Sequence, residues 1–235
     1  MHIEPPRHAA TSGFMKHALI IGASGGIGSA IVQALTGRGV EVTALSRRDT
    51  GLDVTDEASV SAAMGALEPG YDLILVATGA LVIDGAEPEK TLRRVTAQAM
   101  ADQFALNCIG PSLVLKHSLR LMPRERACVF AALSARVGSI GDNALGGWYS
   151  YRTAKAALNQ MIHSGAIELA RSHRKAVCVA LHPGTVATRF TEKYAADHDT
   201  VPAGQAAANL LRVIDGLTPA ETGQFLDWQG KQVAW

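Results

Sequence analysis

At 235 residues, with 48% apolar and 18% charged side chains, the chain has the size and composition of one α/β domain, too short for two full ones and too apolar for a disordered polymer. A net charge of +1 offers no basic surface for a nucleic acid or a membrane, and no apolar run approaches the ~20 residues that cross a bilayer. Cys108, Cys128 and Cys178 are scattered through apolar stretches without Cys-x-x-Cys spacing, which fits core packing in a reducing cytoplasm rather than a disulfide frame or a metal site.

Residues 1–14 hold Pro5, Pro6 and two histidines but no apolar core of a signal peptide, so they read as a disordered leader before a single domain over 15–235. Ala18–Ile21 reads as a buried strand running into glycines. Gly22, Gly26 and Gly28 punctuate the turn, and from Ile27 the apolar spacing (Ile27, Ile31, Leu35) becomes helical. A strand, a Gly-rich turn and a helix start place backbone N–H groups and a positive dipole end where a pyrophosphate can sit. Glycines suit that turn because a Cβ would obstruct it or the phosphate.

Val40–Leu45 forms a second strand, ending in Ser46, Arg47 and Arg48. A carboxylate at that place favours the free ribose 2′-OH of NAD; a serine and two guanidiniums instead suit a 2′-phosphate and point to NADP(H), with NAD(H) the second option. Two solvated arginines after a strand are the plainer alternative. Asp53 follows, and Asp56 or Thr55 caps a helix over about 57–67. Tyr71–Ala77 is a third strand leading to Thr78 and Gly79, and Pro88–Thr91 opens a polar, helical connection. A long helical pattern from Ala97 to Leu121 carries Asn107, with a kink expected at Gly110-Pro111. Ala127–Leu133 is a buried strand ending at Ser134; a Gly-rich loop over 135–147 precedes a helix over about 148–171. Val177–Leu181 stops at His182-Pro183-Gly184, and Thr185–Val201 reads as an irregular, lid-like segment. A helix over 202–214 and a short strand near 224–226 close the chain. This alternation predicts a Rossmann-type, doubly wound parallel sheet of about seven strands with helices on both faces.

Tyr151 and Lys155 stand four apart on this predicted helix and share a face. An ammonium beside a phenol favours the phenolate, so Lys155 is expected to lower the Tyr151 pKa. Ser134 could bring a hydroxyl to the same point from its strand end. Ser139 lies nearer to Tyr151 in sequence but within the loop, and Tyr149 lacks a lysine four residues on. His117 and His163 read as polar-face histidines. Trp148 is a candidate pocket wall, and Trp228 and Trp235 are candidates for a subunit interface.

In this order, Gly22-Ala23-Ser24-Gly25-Gly26-Ile27-Gly28, Asp53-Val54, Asn107, Ser134, Tyr151/Lys155 and His182-Pro183-Gly184-Thr185-Val186-Ala187-Thr188 resemble the short-chain dehydrogenase/reductase family. The stretches from Leu133 to Asn143 and from Gly146 to Lys155 look like its C-factor and sniffer-like carbonyl reductase branch. The resemblance implies a cytoplasmic oxidoreductase that interconverts a small-molecule carbonyl and an alcohol, working as a homodimer or homotetramer. It implies Tyr151 as general acid/base and Lys155 as its partner and holder of the nicotinamide ribose. Ser134 would steady the substrate oxygen, and Asn107 would support a relay water. Gly22, Ser24, Gly26, Ile27 and Gly28 would line the pyrophosphate; Asp53 and Val54 would approach the adenine; Ala77, Thr78 and Gly79 would flank the adenosine ribose; Pro183, Gly184, Thr185, Val186 and Thr188 would close on the nicotinamide.

Three features depart from the family pattern. Ile21 stands where a threonine is usual, Val76-Ala77-Thr78-Gly79 replaces Asn-Asn-Ala-Gly, and Ser134 lies 17 positions before Tyr151, more than usual. The branch also admits another class of role, a C-factor-like signalling protein in which the nucleotide is a ligand and turnover is secondary.

Overall fold

The computed structural model describes residues 15–188 and 199–235; the expected leader and the middle of the lid-like segment lie outside them. Six parallel strands, β1 (His17–Ile21), β2 (Glu41–Leu45), β3 (Leu73–Val76), β4 (Cys128–Leu133), β5 (Ala176–His182) and β8 (Phe225–Asp227), form one sheet in the order β2-β1-β3-β4-β5-β8. Among the described residues this sheet has six strands, against the about seven expected. Strands β6 (Val186–Ala187) and β7 (Val201–Pro202) pair outside this sheet as a two-stranded parallel ribbon, pinning both ends of the lid-like segment.

Every residue of β3 and β4 is buried, as expected of parallel strands covered on both faces. Alternate side chains divide between two cores. Cys128, Phe130 and Ala132 join Leu158 and Ile162 of α6 (Tyr149–Ser172). Val129, Ala131 and Leu133 pack with Ile31 and Leu35 of α1 (Gly26–Gly37) and Leu210 and Ile214 of α7 (Ala203–Asp215). Full burial of each such leucine, isoleucine or phenylalanine contributes about 1.5–3 kcal/mol.

Local chemistry sets the helix ends. Asp56 accepts from the N–H groups of Ala58 and Ser59 and starts α3 (Glu57–Gly65). A short helix absent from the sequence reading, α2 (Arg47–Thr50), begins at Ser46, whose side chain accepts from the Asp49 N–H. The segment around Pro88 holds no helix beyond a 3-10 turn at Leu92–Arg94. Between α4 (Ala97–Phe104) and α5 (Gly110–Ser118) the chain widens to a π turn at Ala105–Ile109. Pro111 lacks the N–H that would return to the Asn107 carbonyl, which accounts for the loosened turn where a kink was expected.

In the sheet, β1 is flanked by β2 on one side and β3 on the other, so successive connections leave it in opposite directions. The crevice beyond the carboxyl ends of β1 and β3 is the place where such sheets bind ligands.

Candidate active site

Beyond those strand ends lies a cleft of about 590 Å³, whose walls include Ser24, Gly26, Ile27, Arg48, Ala77, Thr78, Gly79, Leu133, Ser134, Ala135, Tyr151, Lys155, His182, Pro183, Gly184, Val186, Ala187 and Thr188. At the glycine end, Gly22 adopts φ +85°, and a Cβ there would meet the Ala77 carbonyl carbon at 2.9 Å. A Cβ on Gly28 would stand 2.2 Å from the Gly22 oxygen, and one on Gly26 would meet Thr188 Cγ2 at 2.7 Å. Gly22 and Gly28 therefore build the turn from behind, and Gly26 faces the cleft. Gly25 caps α1 without a side-chain hydrogen bond, leaving the first-turn N–H groups directed at the cleft. This is a fit for a pyrophosphate.

The ribose end departs from expectation. The Ser46 hydroxyl is buried and donates to Asp49 Oδ2 at 3.0 Å while accepting from the Asp49 N–H. It is spent on the helix cap and is not a free donor for a 2′-phosphate. Arg48 stands on the cleft wall but pairs through Nε with Asp49 Oδ1 at 2.7 Å; Arg47 is exposed nearby. A carboxylate thus does sit beside this strand end, and its bonds to Arg48 and Ser46 hold it below the usual range. Asp53 lies off the cleft wall, its Oδ1 accepting from the N–H and hydroxyl of Thr55 at 2.9 and 2.6 Å. Val54 is buried against Gly110. Thr185 is also off the wall, its carbonyl accepting from the Val201 N–H.

Tyr151 and Lys155, both about 95% buried, share the floor of the cleft, with Lys155 Nζ 5.9 Å from the centre of the Tyr151 ring and donating to the Leu133 carbonyl at 3.0 Å. Asn107 is wholly buried; its Nδ2 donates to Ala80 O and Gln103 Oε1, and its Oδ1 has no hydrogen-bond partner among the described residues. A Cβ on Gly79 would lie 2.8 Å from that oxygen and 3.6 Å from Lys155 Nζ. Gly79 thus keeps open the space that an acceptor and an ammonium both face.

The expected lowering of the Tyr151 pKa is corrected. Burial is the cause acting on Tyr151 and holds its phenol well above the ordinary tyrosine range, while burial brings Lys155 down to about 8. Removed from water, each group favours its neutral form. A phenol that keeps its proton is the state a proton donor requires. His182, in the cleft wall, is held down to about 4 by burial.

The Lys155 shift carries a stability consequence. Its pKa falls from 10.5 unfolded to about 8 folded. Between those values the unfolded chain holds a proton that the folded chain lacks, so stability rises with pH through that window; below it the burial cost is present in full. Lys155→Met is expected to raise the unfolding temperature at pH 7, by at most about 3 kcal/mol in stability less the lost bond to Leu133. The rise between pH 8 and 10.5 should disappear in thermal melts of that variant.

Ser134 also differs from expectation. Its hydroxyl is buried and donates to Asn159 Oδ1 at 2.6 Å. A hydroxyl has one proton to give, so Ser134 offers the cleft a lone pair and not a donor, while its neighbour on the wall, Ala135, has no polar side chain. Ser139 is no substitute, since it is buried and accepts from the Asp142 N–H. Ser134→Ala is therefore expected to keep turnover within about tenfold while costing about 1–3 kcal/mol in denaturant unfolding, because it strands the Asn159 acceptor.

Sequence reasoning missed Asn159, although Tyr151, Lys155 and Asn159 recur every fourth residue on one helix face. It also missed Gln103, the partner of Asn107. Trp148 meets the Tyr151 ring edge-on at 6.4 Å; Trp228 packs over Gly184; Trp235 stacks on Phe225 at 6.2 Å. His163 engages the Gly223 carbonyl at 2.9 Å. Among the described residues, no helix is long and apolar enough to cross a membrane, and no group of three His, Cys, Asp or Glu is placed to hold a metal ion.

The family description "short chain dehydrogenase" matches residues 16–199. The chain is similar to the 1-hydroxy-2-glutathionyl-2-methyl-3-butene dehydrogenase of Rhodococcus sp. (strain AD45), 33% identical over 238 residues that cover 94% of this chain and 100% of that protein. It is 38% identical over 136 residues to the C-signal of Myxococcus xanthus, covering 58% of this chain and 78% of that one. In three dimensions it resembles the NADPH-bound carbonyl reductase from chicken fatty liver, with a TM-score of 0.81 at 24% identity over 94% of both chains.

Proposed function

The chain belongs to the short chain dehydrogenase family, and from that premise we propose that it is an NADP(H)-dependent oxidoreductase interconverting a carbonyl and an alcohol. The observation that carries this reading is the joining of two ends in one cleft: a glycine turn at a helix start, and a buried Tyr151/Lys155 pair. The first suits a pyrophosphate; the second suits proton exchange with an oxygen.

Ser24, Gly26 and Ile27 would hold the phosphates at the α1 N-terminus, with Thr188 opposite, and the bound nicotinamide would supply or accept the hydride. Tyr151 gives its phenolic proton to the oxygen of the carbonyl being reduced, and takes it back in the alcohol direction. Lys155, when protonated, places a positive charge near the developing oxyanion. Asn107 Oδ1 stands ready to accept from a water between it and Lys155, giving the proton a route onward. With Ser134 turned to Asn159, polarisation of the substrate oxygen falls on Tyr151.

NADP(H) is supported by Arg48 on the cleft wall and by the NADPH-bound state of the chicken reductase. Thermal unfolding with each cofactor tests it, because a ligand that binds only the native state raises stability by RT ln(1 + [L]/Kd). NADPH should give the larger shift, and Arg48→Glu should cut that shift more than the NADH one; a larger NADH shift in the wild type would refute the preference. A panel of carbonyls and alcohols, including a glutathione-conjugated alcohol on the strength of the Rhodococcus relative, then reads the substrate class. The C-signal likeness supports a second reading, a signalling protein that binds the nucleotide without needing turnover; a cofactor shift with no turnover across the panel would favour it.

A further inference from the structure

The catalytic helix α6 begins in a way its own sequence does not support. Gly146, Gly147 and Trp148 all have positive φ, of 64°, 66° and 51°, and the side chain of Trp148 at the N-cap does not cap the first turn. A non-glycine residue in the left-handed region costs about 1–2 kcal/mol and persists only where its surroundings over-determine it. Arg152, one turn into the helix, shares its Nε–H between the carbonyls of Gly146 and Gly147, and the N–H groups of Trp148 and Ser150 that follow are held by one residue of a different segment. Glu89, in the loop between β3 and α4, is 6% exposed. Its backbone carbonyl accepts from the Trp148 N–H at 2.6 Å. Its side chain takes the Ser150 N–H on Oε2 at 3.2 Å and the Ser150 hydroxyl on Oε1.

We propose that Glu89 is a positioning residue for Tyr151, acting as an N-cap supplied to α6 from another part of the chain. The inference rests on the functional reading above, since it gives Tyr151 a task that demands placement. A carboxylate in the first turn satisfies N–H groups the helix cannot satisfy itself and complements the positive end of its dipole. Ser150 directly precedes Tyr151, and Trp148, whose backbone the same residue holds, meets the Tyr151 ring edge-on. The loop bearing Glu89 is in turn fastened at Ala80 and Leu81 by Asn107 and Gln103. One loop therefore sets both the phenol and the amide that face Lys155.

The test compares Glu89→Ala, Glu89→Asp and Glu89→Gln with the wild type in steady-state kinetics, NADPH-induced thermal shift and amide exchange at Ser150 and Tyr151. Displacement of a reacting group by about 1 Å can cost on the order of 10²-fold in rate. Glu89→Ala and the shorter Glu89→Asp should lower kcat by about 30-fold or more, with KM and the NADPH shift retained and faster exchange confined to the first turn of α6. Glu89→Gln, which keeps an acceptor at the same reach, should recover most of kcat. A Glu89→Asp protein that folds and keeps kcat within about threefold of wild type overturns the inference. So does a loss spread equally over kcat, KM and the NADPH shift, which is the mark of a merely structural role. Failure of the functional reading looks different: wild-type protein that turns over no carbonyl or alcohol, a result that takes this inference down with it.

Discussion

Replacing Tyr151 with phenylalanine is expected to lower turnover by about 10²–10⁴-fold, the range in which a positioned acid contributes, and to leave NADPH binding within about threefold. The change removes one oxygen and keeps the ring that packs edge-on against Trp148. Lys155 keeps its bond to the Leu133 carbonyl, so the floor of the cleft holds its shape. Burial already keeps the phenol protonated, so the variant loses the donated proton and not a charge. The loss should fall on kcat, because protonation matters only as charge develops on the substrate oxygen. Kinetics and cofactor-induced thermal shift on one preparation check this. Equal loss of turnover and cofactor binding would mean that Tyr151 holds the cleft together; full activity would mean that another group gives the proton.

Gly28→Ala is expected to abolish the NADPH-induced shift and to destabilise the fold by about 2–3 kcal/mol, seen as a fall of about 5–10 °C in the unfolding midpoint. The added Cβ would stand 2.2 Å from the Gly22 carbonyl oxygen, so the turn must move. Gly22 has nowhere to go, being at φ +85° and close against the Ala77 backbone. The strain therefore reaches the end of β3 as well as the phosphate-facing N–H groups of α1. Gly37→Ala, at the far end of the same helix where a Cβ meets nothing within 4 Å, is the control. It should be neutral or stabilising by up to about 1 kcal/mol with the cofactor shift intact. A Gly28→Ala protein as stable and as responsive as the control would contradict the geometry of the turn.

What the sequence made legible were features written in short apolar runs and local spacing. Ala18–Ile21 followed by glycines could only be a buried strand entering a turn, and Asp56 before an apolar helix could be read as its cap. The site was legible where residues four apart on a helix must share a face, as Tyr151 and Lys155 do. It was not legible where the deciding partner comes from elsewhere. Ser134 lies at the strand end as expected, yet its proton goes to Asn159, 25 positions on, and no count of residues shows which way a hydroxyl turns. The direction of the Tyr151 pKa shift is illegible for a similar reason: pairing with Lys155 is visible in sequence, but burial of both groups is not. In Ser46-Arg47-Arg48-Asp49 a serine followed three residues later by an acid is a helix-start signal; the cap takes the Ser46 hydroxyl, and the acid pairs with Arg48 while leaving it on the cleft wall. Glu89 gave no signal at all, because nothing local marks a loop carboxylate that closes on a helix 61 positions later.

The central claim, hydride exchange between a nicotinamide and a carbonyl carbon in this cleft, is tested most directly by following the hydride itself. The wild-type protein would be given NADPH deuterated at C4, each face in turn, with the best carbonyl from the panel, and the alcohol analysed by mass spectrometry and NMR. One deuterium is expected on the carbinol carbon from one face of the nicotinamide only, with no such product from Tyr151→Phe over the same time. Alcohol formed without deuterium from either face, or no alcohol from any carbonyl while NADPH still raises the unfolding temperature, would contradict it.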